Sequence, residues 1–127
     1  MLINDAATVR ELRELYPRYE TALVENDVDT LMKMFWSAPE VMRFGVSENL
    51  YGIAELETFR KGRSSVGLPR TVKRLDVIAF GHDVGSITLE FERSAADGKV
   101  IHGRQSQMWV RMPEGWRIVA AHVSLLP

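Results

Sequence analysis

The stretch Gly103-Arg104-Gln105-Ser106-Gln107-Met108-Trp109-Val110-Arg111-Met112-Pro113-Glu114-Gly115-Trp116-Arg117-Ile118-Val119-Ala120-Ala121-His122-Val123-Ser124 decides the fold class. It reads as two β-strands on either side of a Pro-Glu-Gly break, an antiparallel hairpin. Proline suits the second position of a type I turn and glycine a following left-handed residue. The spacing therefore predicts a three-residue loop that pairs Met112 with Trp116. Side chains alternate between the two faces of a strand. One face then carries Arg104, Ser106, Met108, Val110 and Met112 against Trp116, Ile118, Ala120, His122 and Ser124. It is apolar at the turn and polar at the far end, the pattern of a small, partly wet pocket wall. His122 and Ser124 also stand close to the last residue, where polar rim positions are common, and a two-residue loop would shift this register. The opposite face sets Gln105, Gln107 and Trp109 against Val119, Ala121 and Val123, nearly free of charge, and suits a subunit interface.

Working back from the hairpin, alternating runs at 71–80 and 85–93 read as two further strands, broken at Gly81-His82-Asp83 and Ala96-Asp97-Gly98. The first half of the chain is helical. Asn4 or Asp5 caps a helix reaching about Glu25, with Val9, Leu12, Tyr16, Tyr19 and Leu23 in one apolar stripe. Pro17 inside that stripe is expected to kink it. A short second helix buries Leu31, Met34 and Phe35, Pro39 closes it, and residues 41–45 form a strand. Ser47-Glu48-Asn49 is a polar corner before a third helix at 53–62 that buries Ile53, Leu56 and Phe59, followed by a loop at 62–69. Helices first and a meander of strands after them make an α+β domain in which a curved antiparallel sheet wraps the helices.

The chain has 127 residues, enough for one domain with a real core. A net charge of -1 argues against nucleic acid or a membrane surface as partner. The absence of cysteine removes disulfides and thiolate chemistry and fits a reducing compartment. No apolar run is long enough to span a bilayer, and the first residues lack a basic-then-apolar signal pattern, so a cytoplasmic location is expected.

Candidate groups for chemistry are few. Tyr19 lies on the buried stripe, and a buried tyrosine hydroxyl needs a partner. It is either a core residue bonded to a backbone carbonyl or a hydroxyl aimed into a pocket; Tyr16, one turn earlier, reads as packing. Arg43 sits between apolar neighbours, where a permanent charge needs compensation. It either pairs with an internal carboxylate such as Glu48 or Glu90 or forks a substrate carboxylate bidentately. Arg104 competes with it for an anion. Arg60 and Arg63 fall at the end of the third helix and suit its C-terminal dipole. The three histidines lack metal-ligand spacing, and there is no phosphate loop or nucleophile elbow, so no metal and no cofactor are expected.

The element order and the ending Gly-Trp-Arg-Ile-Val-Ala-Ala-His-Val-Ser resemble the SnoaL-like branch of the nuclear-transport-factor-like superfamily. The closer resemblance is to the small oxalurate and cyanuric acid catabolism proteins of the HpxZ and AtzH group. It is carried by Met1-Leu2-Ile3-Asn4-Asp5, Arg18-Tyr19-Glu20, Phe35-Trp36, Arg43-Phe44-Gly45-Val46, Glu48-Asn49-Leu50-Tyr51-Gly52, Phe59-Arg60 and Gly103-Arg104-Gln105-Ser106-Gln107. Pro17 departs from the helix-friendly residue expected there.

The resemblance implies a cystatin-like cone, three helices packed in a curved sheet, spanning residues 1–127 as one domain. It implies a homodimer through the sheet and work beside an amidase. It further implies a decarboxylating amidohydrolase step, 1,3-dicarboxyurea to allophanate, or the same step on a related ureido acid. Tyr19 as proton donor and Arg43 as carboxylate fork are then the expected catalytic pair, with Arg104, Ser106, His122, Ser124 and Tyr51 as substrate-binding residues. A non-catalytic small-acid-binding partner of an amidase is the competing expectation. A ketosteroid-isomerase-like activity ranks last, because it needs an acidic base in the cone.

Overall fold

Six strands form one sheet in the order β2-β1-β6-β5-β4-β3, and three helices lie against one side of it. The computed structural model describes residues 1–64 and 69–127, so the middle of the loop expected at 62–69 lies outside the described residues. The elements run α1 (Ala6–Glu25), α2 (Val28–Met34), β1 (Met42–Phe44), β2 (Asn49–Tyr51), α3 (Gly52–Lys61), β3 (Thr71–Phe80), β4 (Val84–Ser94), β5 (Val100–Met112) and β6 (Gly115–Leu125). All neighbours are antiparallel except β1 and β6, which run parallel. This is the cystatin-like α+β fold.

Asp5 is the residue that caps α1: its carboxylate accepts the Thr8 N–H at 3.1 Å and the Thr8 hydroxyl at 2.8 Å. Leu12, Tyr16, Tyr19 and Leu23 are buried along its stripe, and Pro17 sits on the exposed side with the helix running through it. The helix ends at Asn26, left-handed at φ 50°, a conformation asparagine tolerates. The Asn26 side-chain amide then donates to the carbonyls of Arg60 at 2.9 Å and Arg63 at 2.7 Å, fastening the end of α1 to the end of α3.

The alternation in β4 names the inward face of the sheet: Gly85, Ile87, Leu89 and Phe91 are buried, while Thr88 and Glu90 are exposed. Pairing carries that face to Gly103, Gln105 and Gln107 of β5, opposite Phe91, Leu89 and Ile87. A side chain at Gly103 would overlap the Phe91 ring, so glycine is required for that ring to lie flat on the sheet.

The terminal hairpin differs from the sequence expectation in an instructive way. Met112 pairs with Gly115, so the loop is two residues, and the register is one short near the turn. A bulge at Val119 restores it: Met108 pairs with Ala120 and Trp109 with Ile118. Ser106 therefore still faces His122, and Arg104 still faces Ser124. The bulge also swaps faces along β6, so Trp116 and Ile118 point the same way as Ala121 and Val123. The inward face is consequently the Gln105–Gln107–Trp109 face, with Trp109 and Ile118 fully buried. The expected subunit-interface face is the intramolecular one that meets the helices. The expected pocket wall, Arg104, Ser106, His122 and Ser124, is on the outside.

Candidate functional site

Between the helices and the inward face lies a cavity of about 270 Å³ lined by five arginines: Arg43, Arg60, Arg63, Arg70 and Arg93. The lining carboxylate is Glu48, and Phe91, Val123 and Leu125 supply apolar floor. The volume is just under the roughly 300–1,000 Å³ of drug-sized ligand pockets, which suits a small metabolite.

Local sequence explains how each charge comes to face inward. Strand alternation in β1 turns Met42 and Phe44 outward and Arg43 inward, leaving Arg43 6% exposed. In α3, Gly52, Leu56 and Arg60 recur at a spacing of four and form the buried side, so Arg60 follows Leu56 into the interior. It is 2% exposed.

Arg43 is held by an internal carboxylate. Its Nη1 donates to Glu48 Oε1 at 2.9 Å, while the Ser47 N–H and hydroxyl donate to Glu48 Oε2 at 3.2 and 3.0 Å. The Gly45 N–H closes the turn onto the Glu48 carbonyl at 2.8 Å. A methyl on Gly45 would overlap the Glu48 carboxylate, so the glycine makes room for the ion pair. Burial pushes the Glu48 carboxyl up, but the bonds from Arg43 and Ser47 outweigh it and hold the group below the usual carboxylate range. Glu48 is thus ionised at neutral pH.

A second set of bonds fixes Arg70. Its guanidinium donates to both Glu20 oxygens at 2.8 and 3.0 Å and to Gln105 Oε1 at 2.8 Å, and it lies 4.1 Å over the Phe91 ring. Tyr16 joins in: its hydroxyl donates to Glu20 at 2.7 Å and accepts from Gln105 Nε2 at 3.0 Å. Burial, then the Glu20 charge, raises the Tyr16 phenol, which stays neutral. Tyr16, read from sequence as packing, is therefore a hydrogen-bonding post for a cavity arginine.

Arg60 has no such support. Among the described residues no carboxylate pairs with Arg60, Arg63 or Arg93. Arg60 Nη2 and Arg43 Nε are buried without a hydrogen-bond partner there. Arg43, Arg60 and Arg63 surround one ring, Phe59, at 5.7, 5.6 and 5.5 Å from its centroid. Burial above all, with the neighbouring charges of Arg43 and Arg63, lowers Arg60 to about 10.

The expected site residues are divided between the two sides of the sheet. Arg43 lines the cavity. Tyr19 lies behind it, 2% exposed, its ring against Tyr16, Phe35 and Trp109 at 5.7, 6.2 and 6.4 Å, and near enough to Arg60 to favour that charge. Leu23, one turn further along α1, takes the lining position. Arg104, Ser106, His122 and Ser124 line an open groove on the outer face with Thr88 and Glu90. Tyr51 is 53% exposed on that same face, its ring and the His122 ring on either side of Phe44. These five do not meet the cavity because strand parity turns them away from it. Sequence reasoning missed Arg70, Arg93 and Gln105, and set Arg60 and Arg63 aside as helix-end charges. The alternation in β4 was the signal for Arg93, and the Gly52–Leu56–Arg60 spacing for Arg60; Gln105 follows only from the pairing of β5 with β4, opposite Leu89. Among the described residues no group of His, Asp or Glu is placed to hold a metal ion, and no helix is long and apolar enough to cross a membrane.

Solved structures place the fold among known ones. A protein of unknown function from Pectobacterium atrosepticum is 45% identical, with 98% of this chain and 95% of that chain covered and a TM-score of 0.93. A cystatin-like fold protein from Burkholderia xenovorans is 37% identical over 100% of this chain and 99% of that one, with a TM-score of 0.89. A nuclear transport factor 2-like protein from Salmonella enterica, 22% identical at a TM-score of 0.76 with 96% and 93% covered, shares the fold alone. No curated protein matches the chain. The AtzH-like family model matches residues 1–127, and by that match over its whole length this chain belongs to the AtzH-like family.

Proposed function

We propose that this protein is a cofactor-free decarboxylating amidohydrolase for a small N-carboxylated urea, 1,3-dicarboxyurea to allophanate, or a closely related ureido acid. The observation that carries the reading is the cavity of about 270 Å³ with five arginines against one ionised carboxylate, Glu48. Such a lining selects small anions and would hold a carboxylate while the carbamate end reacts. In the hydrolytic step water attacks the carbamate carbon, its proton passing to Glu48. The C–N bond breaks, and the leaving nitrogen takes a proton to give allophanate and bicarbonate. Tyr19, behind the arginines, is the proposed proton donor, and Arg43 keeps the Glu48 carboxylate ionised and in place.

A carbon-13 NMR time course with freshly generated 1,3-dicarboxyurea tests this. Allophanate and bicarbonate are expected to appear faster than without protein. Tyr19→Phe should slow turnover by about 10²–10⁴-fold while the fold persists. Arg43→Lys should lower kcat while leaving KM within about threefold, since lysine holds the Glu48 carboxylate less firmly than the guanidinium does. No acceleration over the blank would sink the enzyme reading and leave a small-acid-binding partner of an amidase, a role the same cavity would serve.

We further propose that the outer face joins two copies of this chain. Tyr51, Met42, Ala120, Met108, Ser86 and Ile78 stand side by side in one row across all six strands. Tyr51, Met42, Met108 and Ile78 are 53%, 42%, 49% and 44% exposed, a row of large apolar side chains of the kind that marks an interaction surface. Sedimentation should give a dimer that Met108→Glu converts to monomer. A monomeric wild type would refute it.

A further inference from the structure

We propose that Arg60, flanked by Arg63, is the carboxylate anchor of the cavity, and that Arg43 is not. The inference rests on reading this cavity as the substrate site and names the group that grips the substrate there. One contrast separates Arg60 from Arg43 and Arg70. Arg43 and Arg70 already have carboxylates, Glu48 at 2.9 Å and Glu20 at 2.8 Å. Arg60 has none among the described residues, although it is 2% exposed and lines the cavity. Its Nη2, buried and without a partner, is a donor still unspent.

A buried guanidinium in that state asks for an anion, because no side chain among the described residues completes its hydrogen bonds. Arg63 lines the same cavity and meets the same Phe59 ring, 5.5 Å from its centroid against 5.6 Å for Arg60, so two guanidiniums with free donors share one wall. Phe59 backs them from the side the ligand cannot occupy. The planar fork of Arg60 fits a planar carboxylate or carbamate better than a tetrahedral oxyanion. The anchor is also fixed from behind: Asn26 holds the carbonyls of both residues at 2.9 and 2.7 Å, so the end of α3 cannot drift. Arg43, tied to Glu48, then keeps the carboxylate of Glu48 ionised and aimed rather than receiving the substrate itself.

The test is calorimetric titration of the full chain with malonate, a stable dicarboxylate, alongside inorganic phosphate. Wild type should bind malonate, and Arg60→Met should weaken it by at least about tenfold, as loss of a charged hydrogen-bonded pair requires. Arg60→Lys should recover part, and Arg43→Lys should change malonate affinity by less than about threefold. Should Arg60→Met fail to fold, the guanidinium nitrogen resonance absent from Arg60→Lys identifies Arg60 in wild type, and that resonance should move on malonate addition. Malonate binding unchanged in folded Arg60→Met, an unmoved resonance, or phosphate bound more tightly than malonate would each overturn the assignment. Turnover of 1,3-dicarboxyurea that survives Arg60→Met undiminished would overturn the anchor and leave the proposed function intact. Malonate bound at Arg60 with no turnover would do the reverse.

Discussion

Arg70→Met lowers the melting temperature by about 10–20 °C. The Arg70 side chain is 5% exposed and donates to Glu20, whose own side chain is 18% exposed, and to Gln105. Methionine keeps the aliphatic contact with Phe91 but leaves the Glu20 carboxylate facing Tyr16 and Gln105 with no cation. Breaking one side of a buried pair costs about 3–5 kcal/mol, more than the pair is worth against an apolar replacement, because the stranded charge stays buried. For a domain of this length each kcal/mol moves the midpoint by about 3–5 °C. The check is a thermal melt of the single variant beside Arg70→Met with Glu20→Gln. Removing the stranded charge should return at least half of the loss. If the single variant melts within about 2 °C of wild type, the network is decoration rather than a brace for the cavity.

Arg60→Met does the opposite: the melting temperature stays put or rises by up to about 5 °C, while malonate stabilises the protein by at most about half as much as it does wild type. Both arginines are buried, but only Arg70 is compensated. Arg60 falls to about 10 in the folded chain, well below the ordinary arginine range, with burial the main cause. At neutral pH the group is charged folded and unfolded alike, so the folded state carries a destabilisation of about 3 kcal/mol. That burden would lift only as pH climbs above about 10, where the folded chain has released the proton that the unfolded chain still holds. Methionine lifts it at neutral pH while keeping much of the volume. Malonate at about a hundred times the wild-type Kd should stabilise wild type by about 2.7 kcal/mol and Arg60→Met, bound at least about tenfold more weakly, by about 1.4 kcal/mol or less. A variant that melts well below wild type would make Arg60 a structural residue. The contrast between the two substitutions separates a brace from a binding group on stability alone, before any substrate is identified.

How much of this was legible beforehand varied with the kind of signal. Elements with strong periodicity were read close to their observed limits: the α1 stripe, the strand at 71–80, and the far half of the hairpin register, where Ser106 meets His122. The near half was not, because a two-residue loop and a bulge at Val119 cancel in their effect on register while swapping the faces of β6. Neither leaves a mark in the apolar pattern. Gln105 and Gln107 looked like a subunit interface; they are buried within the chain, where Gln105 meets Tyr16 and Arg70 from other elements and Gln107 Oε1 accepts from Trp109 two residues along the same strand. Arg43 was legible as a charge in need of compensation, and its partner proved to be Glu48, one of the two carboxylates the sequence suggested.

Local spacing is what a sequence carries in the open. It therefore determined the order of helices and strands, the α+β class, the inward turn of Arg43 and the family resemblance that the whole-chain match supports. Which face of the sheet meets the helices was decided only in three dimensions, because both faces of the last hairpin mix apolar and polar groups and burial is settled by what packs against them. The convergence of Arg60, Arg63, Arg70 and Arg93 on one cavity was decided there too. Each is an ordinary surface residue by type, and only long-range packing brings four such charges from separate segments to the same small volume.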